Sequence, residues 1–334
     1  MKDKEINVLI LSAGRRVELI RCFKSARDRL KIKGSVVAGD ASDLAPALYF
    51  ADDPVIFPRI DSGRYTEAII ETCLEKNISL IVPTIDTELL LLAKNKDRIE
   101  AETGSRVLIS DLSVITVCRN KINTQHFMEE NGFKVPRMYT EDEIREKKER
   151  YPLFVKPIDG SSSIDTYKVE NREKLEAVLS LVKDPMIQDY MEGEEYTIDV
   201  FLNFSSEIIT LVPRIRIATR SGEIAKGKIV KDDEIISDVK RLMDILRPVG
   251  HITVQCRKTD RGVEYIEINP RFGGGAPMSI MAGADSCENL YRLLLGEELK
   301  YNEDYETNVT FLRYDSSVML DEKKRLVNEK SDLV

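Results

Sequence analysis

The stretch VEYIEINPRFGGGAP, residues 263–277, begins as a β-strand and ends in Asn-Pro-Arg and three consecutive glycines. Glu267 and Asn269 interrupt an otherwise apolar run, and Arg271 follows at once. Side chains alternate across a strand, so Glu267 and Asn269 share one face, while Ile266 and Ile268 turn to the other. Upstream, Ile252 to Arg257 reads as a second strand, joined through Asp260-Arg261-Gly262, a three-residue hairpin loop with Gly262 in the left-handed position. A hairpin centred on Arg261 sets Gln255 opposite Glu267 and Val254 with the core-facing isoleucines. Gln255, Glu267 and Asn269 then bring three hard oxygen donors to one patch, a set suited to Mg²⁺ that also takes water and phosphate oxygens. A plain solvent-facing sheet surface also accounts for Gln255 and Glu267, though less well for the Asn-Pro-Arg-Gly-Gly-Gly sequence that follows.

Other stretches supply matching pieces. Lys156 ends the apolar strand Tyr151 to Lys156, and the turn of Gly160, Ser161, Ser162 and Ser163 offers N–H groups and hydroxyls that suit phosphate oxygens. Lys121 starts a helix that ends near Gly132 and Pro136, a C-cap signal. In IQDYMEGEEYTIDVF, residues 187–201, an apolar strand runs into a turn at Gly193, with Glu195 opening the next strand. An exposed strand end reads an adenine edge through its backbone, and a carboxylate accepts from ribose hydroxyls.

The first hundred residues alternate strand and helix: Asn7 to Leu11, Val17 to Leu30, Ser35 to Gly39, Tyr65 to Lys76 and Leu80 to Pro83. This is a parallel βαβ pattern. One glycine stands where the dinucleotide fingerprint requires three, and no P-loop motif is present, which argues against NAD binding and P-loop chemistry. The tail DEKKRLVNEK, residues 321–330, reads as a solvated helix.

Composition sets the outer limits. The chain has 334 residues and a net charge of −8, so a basic nucleic-acid or membrane-surface binder is not expected. No apolar run reaches the roughly 20 residues of a membrane span, and the N-terminus lacks signal-peptide character; a cytoplasmic location follows as the expectation. The cysteines are odd in number, without a Cys-x-x-Cys pair, and Cys22, Cys73 and Cys256 read as buried thiols. With only His126 and His251, a multi-histidine metal site or a Ser-His-Asp triad is not expected.

Taken in order, NKINTQHFMEENGFKVP (120–136), YPLFVKPIDGSSS (151–163), MIQDYMEGEEYTIDV (186–200), GHITVQCR (250–257) and VEYIEINPRFGGG (263–275) resemble the ATP-grasp superfamily, in its carbamoyl-phosphate-synthase-like, carboxylate–amine ligase branch. The resemblance implies an α/β chain: an N-terminal Rossmann-like domain (1–112), then a two-lobed ATP-grasp fold with a small lobe (113–184) and a large lobe (185–334). It implies that Lys121 and Lys156 contact ATP phosphates under a lid of Ser161, Ser162 and Ser163. Gln188, Asp189, Tyr190 and Met191 would frame adenine, and Glu195 would hold ribose. Gln255, Glu267 and Asn269 would bind Mg²⁺ or Mn²⁺, and catalytic Arg271 would stabilise the transferring phosphoryl group. Gln188 departs from the Glu of many members, and the lid is poor in glycine. The implied reaction converts a carboxylate to an acyl phosphate for attack by an amine, with ATP going to ADP and phosphate. Two alternatives stand beside it: phosphorylation of bicarbonate or carbamate, and a non-catalytic ATP-binding subunit.

Substrate contacts are read from the residues themselves. Arg214, Arg216 and Arg220 share parity and, on one strand, would clamp an anion. One of Arg15 and Arg16 is expected to face the cleft at the end of the first strand. Asp86 is expected there as an amine partner, and Gly274 in the glycine run is expected to let the backbone approach a substrate. The expected partners are a small-molecule carboxylate and amine, without nucleic acid or membrane; a homodimer is admissible.

Overall fold

The computed structural model describes residues 5–159, 164–220 and 222–327. Its first sheet contains β1 (Asn7–Ile10), β2 (Val36–Asp40), β3 (Asp53–Ile56), β4 (Ile78–Val82) and β5 (Arg106–Val107), all parallel in the order β3-β2-β1-β4-β5. Strands this apolar require cover on both faces. Val8 and Ile10 pack under the helix Val17–Leu30, whose buried Leu19, Ile20, Phe23 and Ala26 recur at helical spacing. Leu9 and Leu11 pack on the opposite side with Ile69, Ile70, Leu89 and Leu92. The strand order reverses between β1 and β4, so the loops after these two strands flank the crevice where open α/β sheets bind ligands. Those loops carry Arg16 and Asp86.

A small antiparallel sheet follows, with β6 (Met138–Tyr139), β7 (Leu153–Pro157), β8 (Tyr167–Val169) and β9 (Pro185–Asp189) in the order β6-β9-β7-β8. β9 extends the small sheet past residue 184, the expected lobe boundary, because its backbone pairs with β7 from Leu153↔Asp189 to Pro157↔Pro185.

The third sheet is antiparallel: β10 (Glu194–Leu202), β11 (Ile208–Arg220), β12 (Glu223–Ile229), β13 (Gly250–Thr259), β14 (Gly262–Asn269) and β15 (Thr310–Leu312), in the order β14-β13-β10-β11-β12-β15. Its two faces differ in chemistry. Tyr196, Ile198, Val200, Leu211, Ile252, Val254, Cys256 and Ile268 pack against the helix Asp233–Leu246, capped at its start by the Asp232 carboxylate (3.2 Å to Ile235 N). The opposite face holds Glu195, Thr197, Asp199, Arg214, Arg216, Thr253, Gln255, Glu267 and Asn269, as the strand registers require.

The core under Val17–Leu30 does not stop at the first domain. Phe272, Ala276, Ile280, Leu290 and Tyr291 complete it, with Phe23 edge-on to both Phe272 (5.8 Å) and Tyr291 (6.2 Å). Cys73, Cys256 and Cys287 are buried, whereas Cys22 is only half-buried. Residues 321–327 form turns and a Leu320–Leu326 bridge in place of the expected helix, whose last three residues lie outside the described ones. Asp321 accepts from the backbone N–H groups of Lys323 and Arg325 (2.9 Å each), which fixes a turn that competes with helix.

Candidate active site

The hairpin β13–β14 places the proposed metal donors. Gln255 pairs with Glu267, and Thr253 with Asn269. The loop differs from expectation: Thr259 pairs with Gly262, leaving a two-residue turn, and the register then shifts by one between Cys256 and Gln255. The shift is a bulge at Ile266. Ile266 therefore does not join Ile268 in the apolar core; it lines a small cavity with Lys121, Gln125, Lys156, Met186, Gln188 and Tyr265.

Gln255 Nε2 donates to Glu267 Oε1 at 2.6 Å, and Asn269 Nδ2 donates to the same oxygen at 2.8 Å. Both amides are thereby oriented, leaving their carbonyl oxygens and Glu267 Oε2 as donors to a cation. Among the described residues, no group of three Asp, Glu, His or Cys side chains stands ready to hold a metal. One carboxylate and two amides fit an ion whose remaining charge and ligands come from phosphates, as Mg²⁺ requires.

On the small sheet, Lys156 is the penultimate residue of β7 and only 6% exposed. Burial, together with the Lys121 cation, pulls its ammonium down to about 8, against the opposing pull of Glu267. Lys121 donates to the Ile158 carbonyl (3.1 Å), and burial lowers its pKa as well, again opposed by Glu267. Both lysines thus lie within electrostatic reach of Glu267, and the helix that Lys121 opens packs through Met128 on the core of the large sheet. Lys121 and Lys156 line a cavity of about 10 Å³, room for about one water.

Gln188 is buried and its Nε2 donates to Gln125 Oε1 (2.8 Å), while Gln125 Nε2 donates to the Pro136 carbonyl (2.9 Å). Asp189 accepts from the Tyr139 hydroxyl (2.7 Å), and the Tyr190 ring carries Lys168 Nζ 4.1 Å from its centroid. Met191 follows at the exit of β9, half-buried. Glu195 is held by Arg216 Nε and Arg257 Nη2, both at 2.8 Å. Ser161, Ser162 and Ser163 lie outside the described residues.

On the substrate side, Arg271 Nη2 bonds Asp86 Oδ2 at 2.7 Å, with the side chains 13% and 7% exposed. Among the described residues, Asp86 Oδ1 and Arg271 Nε are buried without a partner, so the pair has hydrogen-bonding capacity left over. Arg16 faces the same crevice, and Arg15 points to solvent. Arg16 Nη1 meets Glu223 Oε1 (3.2 Å), and Arg313 takes the other oxygen of Glu223 (3.0 Å). Burial lowers the Arg16 pKa, and the Arg271 and Arg313 cations add to the effect against Glu223. The three glycines are packing sites, none at positive φ. A Cβ would lie 2.7 Å from Thr253 Oγ1 at Gly273, 2.6 Å from Arg16 Nη1 at Gly274, and 2.8 Å from Arg214 Nη1 at Gly275.

The arginine clamp of β11 does not assemble. Arg214 is buried on Asp199 (Nε to Oδ2 2.7 Å, Nη2 to Oδ1 3.0 Å), out of reach of a substrate. Arg216 turns to Glu195 and the Gly222 carbonyl (3.0 Å). Register shifts on either side of Ala218 break the strand's alternation, and Arg220 is left exposed, paired with Asp315 at 2.5 Å. Sequence reasoning missed Thr253, Glu223, Arg313 and the cleft-facing Ile266. Thr253 was readable by parity, two residues before Gln255; the others depend on long-range packing or on the bulge.

Comparison with known proteins gives two family matches: residues 8–108 match "PylC-like, N-terminal domain", and residues 182–315 match "ATP-grasp in the biosynthetic pathway with Ter operon". A D-alanine–D-alanine ligase of Fusobacterium nucleatum is 31% identical over 113 residues, 34% of this chain and 36% of that protein. A carbamoyl-phosphate synthase of Methanobrevibacter smithii is 26% identical over 180 residues, 52% of this chain and 47% of that protein. The chain thus spans less than half the length of these curated relatives. Among solved structures, the biotin carboxylase domain of the Hydrogenobacter thermophilus 2-oxoglutarate carboxylase, crystallised with MgADP and bicarbonate, superposes with a TM-score of 0.70 at 18% identity, over 91% of this chain and 73% of that one. That likeness establishes a common fold.

Proposed function

We propose that this chain, which belongs to the ATP-grasp superfamily and carries a PylC-like N-terminal domain, is an ATP- and Mg²⁺-dependent ligase that joins a carboxylate to an amine. The observation that carries the reading is Glu267, oriented by Gln255 and Asn269, with Lys156 and Lys121 within electrostatic reach. Mg²⁺ held by the oxygens of Gln255, Glu267 and Asn269 would neutralise phosphate charge. Lys156 and Lys121 bind phosphate oxygens, Gln188 to Met191 frame adenine beside Ile266, and Glu195 takes the ribose.

Arg271 draws the substrate carboxylate toward the γ-phosphate. A carboxylate oxygen attacks phosphorus, the bond to ADP breaks, and an acyl phosphate forms, its charge stabilised by Arg271. The neutral amine nitrogen then attacks the acyl carbon, the bond to phosphate breaks, and the proton lost by the nitrogen leaves with the inorganic phosphate. Asp86, whose Oδ1 is buried without a partner among the described residues, is assigned to hold the incoming amine as ammonium before it loses a proton and attacks, and Arg16 beside Gly274 to hold an anionic group of the substrate. An acyl phosphate hydrolyses in water, so the reaction requires that water be kept from the site during the two steps.

The test is ADP release from MgATP, screened against a panel of carboxylates paired with amines and against bicarbonate alone. We expect at least one carboxylate to stimulate release and an amine to raise it further. Stimulation by bicarbonate alone moves the reading to carbamoyl-phosphate-type chemistry. ATP binding with no stimulation by any combination overturns the ligase reading.

A further inference from the structure

We propose that Arg214 is a positioning residue, which sets Arg271 through the glycine turn and the short helix behind it. The inference rests on the proposed role of Arg271 at the γ-phosphate. Arg214 is 1% exposed and Asp199 2%, both on the site face of the large sheet. A buried ion pair of this kind is a poor source of net stability, because desolvation offsets the attraction. Its placement gives it another use.

Three contacts of the pair reach the segment that carries Arg271, and a fourth partner, His251, reaches it through Phe272. Ser279, on the helix Ala276–Met281, donates to Asp199 Oδ2 at 2.5 Å. The sulfur of Met278 lies 3.9 Å from Arg214 Nη1. Gly275 passes so close to the guanidinium that a Cβ there would lie 2.8 Å from Nη1 and 3.0 Å from Nη2. His251, whose Nε2 lies 3.5 Å from Asp199 Oδ1, stacks flat on Phe272 with centroids 4.4 Å apart. Phe272 is bonded directly to Arg271. The turn is thus gripped at Phe272, Gly275 and Ser279 by one charge-paired unit rooted in the sheet. Asp199 remains a carboxylate: Arg214 and His251 hold its pKa well below the usual range despite burial. A planar, bidentate guanidinium fills this position; an ammonium does not reproduce it.

Calorimetry on the full chain separates this role from a merely structural one, using MgADP and the Mg²⁺ complex of the β,γ-imido analogue of ATP. Arg214→Lys is expected to leave MgADP affinity unchanged and to weaken the imido analogue by about tenfold, the loss of one charge-assisted contact at the γ-phosphate. Ser279→Ala, a milder cut in the same unit, is expected to shift the same ratio in the same direction and serves if Arg214→Lys does not fold. An unchanged ratio in a folded variant, or an equal loss for both nucleotides, overturns the proposal. Failure of the unmodified chain to bind MgADP overturns the nucleotide reading first, and this inference with it.

Discussion

Lys156 places a cation where water barely reaches, which makes it costly to the folded chain and useful to an anionic ligand. With its ammonium pulled down to about 8 from the ordinary 10.5, the desolvation cost is fully present below pH 8. Between about 8 and 10.5 the folded chain has released a proton that the unfolded chain keeps, so stability without nucleotide rises with pH across that window. Nucleotide affinity runs the other way, falling as pH passes 8, because phosphates need the charged form. Lys156→Met is therefore expected to flatten both slopes, with weaker MgADP binding and an equal or higher Tm at pH 7; Tm and calorimetric titrations across pH 7 to 10 check this. Glu267→Gln keeps the shape of the side chain but removes its charge from the metal face. We expect turnover to fall by about 10³-fold with Tm little changed, and a variant of undiminished Mg²⁺-dependent activity would sink the metal assignment.

In the β13–β14 hairpin, expectation and structure agree at the metal end for a reason the sequence did not reveal. The anticipated three-residue loop is a two-residue turn, and the bulge at Ile266 shifts the register back by one, so Gln255 still meets Glu267. Nothing in VEYIEIN marks that bulge, since Ile266 looks as core-forming as Ile268. The bulge instead aims an apolar side chain at the nucleotide cavity. Ile266→Phe is accordingly expected to weaken MgADP binding by about tenfold through overpacking, while Tm holds; unchanged affinity would remove Ile266 from the adenine site. The β11 arginines show the opposite outcome. Their parity was legible, but the irregularities around Ala218 and the burial of Arg214 were not, because both depend on strands and helices far away in sequence.

The molecule is joined at its chemistry. Arg271 reaches Asp86 across 185 residues and Arg16 reaches Glu223 across 207, while Phe23 seats Phe272 and Tyr291 in a shared core. Local pattern placed Arg16 and Asp86 at the ends of their strands, where the reversal of strand order makes a crevice; it did not reveal which lobe residues meet them. Asp86→Ala strands a buried guanidinium and is expected to cost about 3 kcal/mol of stability, along with turnover, measured by denaturant titration and ADP release. A cost near zero would show that Arg271 finds another partner. The two-faced large sheet has a practical corollary for redesign. On β10 the odd positions Glu195, Thr197 and Asp199 turn to the cleft, and the even positions Tyr196, Ile198 and Val200 turn to the core. A mutational library confined to the polar cleft-side positions Thr197, Arg216, Thr253 and Gln255 would sample ligand range while sparing the apolar layer and the buried Asp199–Arg214 pair, so tolerance of new chemistry is divided residue by residue along each strand.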